Sequence, residues 1–106
     1  MSFSVYAHRP VDITLPSWGI SIVESRHASD FQAQVAHHDF FQIIYAFRGR
    51  GCLSLDNRTW SFQAHDCALI PPQAPHCITD ARGEPLGLYA VNVSTQVLAP
   101  FDALGE

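Results

Sequence analysis

Seven short runs of alternating or β-rich residues, each closed by turn chemistry, occupy most of this chain and leave almost no room for a helix. They are GISIVES (19–25), FFQIIYAF (40–47), CLSLD (52–56), TWSFQ (59–63), CALI (67–70), HCITD (76–80) and LYAVNV (88–93). The segments RGRG, DNR, AHD, PPQAP and DARGEPLG between them carry the Gly, Pro, Asn and Asp that turns require. Strands this short and this closely spaced predict an all-β sandwich or barrel. The DNR turn predicts a hairpin: Leu53 and Leu55 alternate with Ser54 and Asp56 before it, and Trp60 and Phe62 alternate with Ser61 and Gln63 after it. Residues 1–16, with Pro10 and Pro16, read as an N-terminal arm, about 18–94 as the barrel, and 95–106 as a tail or the start of a linker. At 106 residues, one domain accounts for the whole chain.

Charge removes several functions. The chain has six arginines, no lysine and a net charge of −4, so it lacks the basic footprint that a phosphate backbone needs. Without lysine there is no Schiff-base chemistry and no P-loop. No apolar run reaches the roughly 20 residues of a membrane span, and no basic-then-apolar leader opens the sequence. Cys52, Cys67 and Cys77 form an odd set without CxxC spacing, which suits reduced structural thiols and a cytoplasmic location.

The chemistry concentrates in HHDFFQIIYAF. In an extended strand His38, Phe40, Gln42, Ile44 and Ala46 share one face, while His37, Phe41, Ile43, Tyr45 and Phe47 share the other. If the first face lines a lumen, His76 from a facing strand can join His38 and Gln42. Two uses of that trio remain open. One is a weakly bound divalent metal (zinc, nickel, iron or manganese) held through two imidazoles and an amide oxygen; the other is a ligand pocket lined by the trio among Phe40, Ile44 and Leu69. Cys67 or Cys77 with His65 or His76 is a third, weaker metal option. His8 and His27 read as surface or arm residues, Asp39 as a cap, Trp18 and Trp60 as packing groups with a minority chance of sugar stacking, and Arg48 and Arg50 as solvated charges.

The order of these features, from the histidine-rich strand through GRG and the hairpin to HDCALIPPQAPH and a final apolar strand, resembles the cupin family over about residues 35–93. It is most similar to the sugar-sensing N-terminal domain of AraC-type transcription regulators. The resemblance implies a small double-stranded β-barrel, a jelly roll, that binds a small molecule or a metal at its mouth. The family's first motif has two histidines one residue apart and a glutamate four residues after the second; those positions resemble Ala36, His38 and Gln42. His76, after PPQAP, matches the histidine that ends the second motif. Two glycines usual in the second motif are replaced by His65 and Gln73, so those turns are expected to depart from the family norm.

Three functions compete on these residues. The first is a cupin-like sensing domain: a pocket of His38, Phe40, Gln42, Trp60 and His76 takes a small polar metabolite, a sugar or a small acid, with no cofactor required. Such a domain would dimerise through the Phe41–Phe47 stripe and serve a regulator whose DNA-binding part lies outside this chain. The second is a metal-dependent cupin enzyme of the isomerase or dioxygenase type, and the third a purely structural dimerisation barrel. Loss of the glutamate and the first histidine favours binding over catalysis, and the sensing domain is the reading adopted.

Overall fold

The computed structural model describes residues 2–97, and all but a single helical turn at its end is strand, bridge or loop. The strands are β1 (Ser2–Ala7), β2 (Ile20–His27), β3 (Phe40–Arg48), β4 (Arg50–Leu55), β5 (Arg58–Gln63), β6 (Cys67–Ile70), β7 (His76–Asp80) and β8 (Gly87–Ser94). Most of the tail expected over 95–106 lies outside the described residues. Five strands form one sheet in the order β1-β2-β8-β3-β6 and three form another in the order β5-β4-β7. This is the two-sheet jelly roll expected from the strand pattern, with a core of Ile44, Ala46, Leu53, Phe62, Ile70, Leu86 and Leu88.

Seven of the eight strands match the seven runs read from sequence. The eighth, β1, falls inside the segment read as an arm, and it pairs with β2 in parallel, from Ser2↔Ile22 to Ala7↔His27. Parallel neighbours cannot be joined by a tight hairpin, so the chain must cross over between them. Residues 8–19 make that crossover, which Pro10 and Pro16 keep out of either strand.

Turn chemistry accounts for the hairpin and for two further corners. Asp56 and Asn57 both have positive φ, 51° and 63°, the pattern of a type I′ turn whose twist suits a two-residue hairpin. His65 and Gln73 adopt φ of 79° and 66°. The expectation that these corners differ from the glycine-bearing norm is therefore corrected: non-glycine residues hold the left-handed conformation. Tertiary bonds over-determine it, from His65 N–H to the Ala46 carbonyl at 2.7 Å and from Gln73 N–H to the His38 carbonyl at 2.6 Å.

Period-2 alternation sorts side chains as expected on β3, where Phe40, Gln42, Ile44 and Ala46 are buried. Leu69 departs from expectation. It stands opposite Ile43 on the outer face and is 60% exposed, while its neighbour Ile70 takes the inward place at 1%. Trp18, expected to pack, is 57% exposed, and Cys52 and Cys67 are exposed rather than core thiols. Phe62→Ala should therefore cost about 3–5 kcal/mol in denaturant unfolding. Leu69→Ala should change stability by no more than about 0.5 kcal/mol.

Candidate functional site

His38, just before β3, and His76, the first residue of β7, meet between the two sheets with ring centroids 5.3 Å apart and planes inclined at 55°. The backbone brings them together. Ala36 and His76 exchange N–H···O bonds of 2.8 and 2.9 Å, which tie the segment before β3 to the start of β7. His38 also stacks on Phe40, two residues along the same face, at 4.7 Å and 9°. Phe40 is buried and acts as the backing of His38 rather than as part of the cavity surface.

Hydrogen bonds hold two members of the trio, His76 and Gln42, in a defined state. His76 Nδ1–H donates to the Ala74 carbonyl at 3.0 Å, so the neutral ring presents Nε2 as an acceptor. Gln42 Nε2 donates to Asn92 Oδ1 at 2.8 Å, and Asn92 Nδ2 donates to Ser21 Oγ at 3.2 Å. With its amide nitrogen engaged, Gln42 has Oε1 left for a guest. Burial, and after it the nearby His76 and His37, hold the His38 pKa below the ordinary imidazole range, with Asp39 opposing.

His38, Gln42 and His76 line a cavity of about 90 Å³ with apolar walls from Val23, Ile44, Ile78, Leu88 and Ala90. Pro10, Val11 and Ile13 of the β1–β2 crossover also face it, so the segment read as a free arm is part of the wall. Trp60, expected in the pocket, is not. Its strand β5 is an edge, separated from β7 by β4, so the indole lies about 10 Å to the side and is 45% exposed. Leu69 is absent from the wall for the reason given above.

A histidine assigned to the surface belongs to this cavity. His27 ends β2, is 4% exposed, and its Nδ1–H donates to Asp80 Oδ1 at 2.8 Å. Its ring lies flat against Phe31, with centroids 3.5 Å apart. The signal was in the alternation: Ser21, Val23 and Ser25 lead inward, and two more residues reach His27. His8 does lie at the surface, bonded to Asp30 at 2.6 Å, and Arg50 pairs with Glu84 there.

The metal reading needs donors that are not assembled here. His38, His76 and Gln42 provide two imidazoles and one neutral amide, and Ala36 adds nothing. Among the described residues no three His, Cys, Asp or Glu side chains gather where they could hold an ion, which covers the cysteine options too. The donor set does not fit a centre of the usual kind, with three or four ligands and commonly a carboxylate.

Because folding lowers the His38 pKa, the unfolded chain takes up this proton at a higher pH than the folded one. Stability is then fully present above the ordinary imidazole value of about 6.5 and declines as pH falls through it toward the folded value. The slope of unfolding free energy against pH below that value should be shallower in His38→Gln than in the parent, measured by urea titration at a series of pH values.

Comparison with known proteins gives this geometry a family. Residues 18–101 match the model of the AraC-like ligand binding domain. An uncharacterised protein of Methanocaldococcus jannaschii is 36% identical over 50 residues, which cover 47% of this chain and 40% of that protein. Similar solved structures include an RmlC-like cupin from Shewanella frigidimarina, with a TM-score of 0.63 and 15% identity over 76% of this chain and 72% of its own. A cupin protein from Bacteroides fragilis has a TM-score of 0.58 and 23% identity over 72% of this chain and 64% of its own. A Cupin 2 conserved barrel domain protein from Salinispora arenicola has 0.53 and 28% over 64% and 56%. The family match spans most of the chain, which therefore belongs to the AraC-like ligand binding domain family of cupin fold.

Proposed function

We propose that this chain is a small-molecule-sensing domain, the effector-binding and dimerisation module of an AraC-type transcription regulator whose DNA-binding part lies outside it. The observation that carries the reading is a cavity lined by three polar groups, His38, Gln42 and His76, with the crossover at Pro10–Ile13 as part of its wall. At about 90 Å³ the cavity is smaller than the roughly 300–1,000 Å³ of ordinary ligand pockets. A guest larger than a few waters must extend through the cavity mouth or displace the crossover, and displacement would couple binding to the position of β1 at the sheet edge. A metal-dependent isomerase or dioxygenase is the less supported reading, because its donor set is incomplete.

Binding is tested by thermal shift and calorimetry against small metabolites, sugars and small acids included. A ligand that raises the unfolding temperature should bind up to about tenfold more weakly to Gln42→Ala or His76→Ala, since each loses one hydrogen bond from a pocket wall. A complete lack of response would favour the structural dimerisation barrel instead.

The outer face of the five-stranded sheet supports the dimer. Ile43, Leu69 and Tyr89 are exposed on it, and Ile20 and Ile22 extend it across β2. From the sequence, the segment carrying Ile20 and Ile22 is a candidate cover for the Phe41–Phe47 stripe. The two residues lie in the same sheet two strands away, so they widen the apolar face and cover nothing. A second copy packed there about a two-fold axis would bury about 800 Å² per subunit. Ile43→Asp should convert the dimer to a monomer in light scattering and leave ligand affinity unchanged, because Ile43 and Gln42 point to opposite sides of β3.

A further inference from the structure

We infer that the His27–Asp80 pair is a second recognition pole of the cavity, and that the molecule bound there is neutral, with hydroxyl donors at both ends and an apolar middle. The inference rests on the sensing role proposed above and deepens it. On β7 the residues His76, Ile78 and Asp80 alternate onto one face, so the two polar positions stand four residues apart, about 13 Å along the strand. Ile78 between them lines the cavity, together with Val23, Ile44 and Leu88 from the opposite sheet. The wall is thus apolar in its middle and polar at its ends.

The far pole is built to present one atom. Asp80 Oδ1 accepts from His27 Nδ1–H at 2.8 Å and from Leu86 N–H at 3.3 Å. That bond fixes the tautomer, and Phe31 fixes the plane of the ring. The neutral ring then offers Nε2 as an acceptor. Among the described residues no hydrogen bond is made to His27 Nε2, and no side-chain nitrogen or oxygen sealed from solvent lacks a partner. Nε2 is therefore open to the cavity that its ring lines.

Acceptors face the cavity at both poles, His76 Nε2 and Gln42 Oε1 at one end and, in the neutral ring, His27 Nε2 at the other, and a hydroxyl can donate to each. No arginine lines the cavity and the chain has no lysine, so a carboxylate or phosphate would depend on protonation of a cavity histidine for its counter-charge, with the Asp80 carboxylate already bonded to His27 opposing it. A fully hydroxylated guest would leave its central hydroxyls against Val23, Ile44 and Ile78, unpaired. The competing explanation is that His27–Asp80 is only a strut between the sheets, since β2 and β7 belong to different ones.

Three probes separate these explanations: 1,5-pentanediol, whose length with one hydrogen bond of about 2.8 Å at each end suits the span, together with 1-pentanol and glutarate. Each is titrated into the ¹⁵N-labelled chain while the histidine ring nitrogens are followed by long-range ¹H–¹⁵N NMR. The diol should move both His76 Nε2 and His27 Nε2 and bind roughly tenfold tighter than pentanol, the ratio one added hydrogen bond gives. Glutarate should leave both unmoved. In His27→Gln the diol should lose its advantage over pentanol; if that variant does not fold, the ring-nitrogen shifts of the parent decide. A diol that moves His76 Nε2 but not His27 Nε2, and binds no tighter than pentanol, reduces the pair to a strut and leaves the sensing role standing. Glutarate binding at either pole overturns the neutral ligand class. Silence from all three at both poles overturns this inference, and the sensing role falls only if the wider metabolite panel is silent too.

Discussion

Gln42 and Asn92 stand opposite one another on β3 and β8, both buried, with the Gln42 amide donating to Asn92 and Asn92 donating onward to Ser21 on β2. Three adjacent strands are thereby joined by a side-chain chain as well as by their backbones. A one-residue slip of the β3–β8 ladder would turn each strand's faces over, burying Ile43 and Val91 and exposing the two amides. Apolar burial alone tolerates small shifts of packing, but a buried amide that loses its partner costs about 1–3 kcal/mol. The amide chain therefore fixes the register on which both surfaces of the sheet depend.

With the register fixed, β3 separates two surfaces by a single residue step. Gln42 faces the cavity and Ile43 faces outward, where β2, β8 and β6 continue the same apolar surface. The shorter sheet provides the other wall, and close backbone approach holds it there. A Cβ on Gly51 would lie 1.9 Å from the Thr79 carbonyl oxygen, so β4 and β7 pair at a distance that only glycine permits at that point. That pairing sets where β7 begins, and hence where His76 meets Ala36.

Much of this was legible because strand alternation is a local property. The seven runs, the Asp56–Asn57 turn and the inward set Phe40, Gln42, Ile44 and Ala46 follow from period 2 and turn chemistry, which neighbouring residues decide. What was missed depends on pairing between distant segments. Ser2–Ala7 alternates like a strand, yet only its parallel partner β2 makes it one. Trp60 has the inward parity of Leu53, but its place at the sheet edge comes from strand order, which no local pattern encodes. His27 lay one alternation beyond the run read from sequence, and its partner Asp80 is 53 residues away. Corners at His65 and Gln73 ran against local preference, and long-range backbone bonds settled them.

Coupling between cavity and sheet edge follows from the same long-range pairing. The crossover that forms part of the cavity wall is continuous with β1, and β1 is anchored to the chain beyond β2 by bonds from Ala28 N–H to the Ala7 carbonyl and from Gln32 N–H to the His8 carbonyl. Phe31, which stacks on His27, lies between those two anchor points. A guest pressing on Pro10–Ile13 therefore pushes on a segment tied to the same short loop that orients His27. Since β1, like β6, is held by one neighbouring strand only, while β3 and β8 are each held by two, the edge that continues into the crossover is easier to displace than the β3–β8 ladder. In the sensing role proposed above, a displacement at the cavity would pass to this N-terminal edge, with the β3–β8 ladder as the frame against which that edge moves.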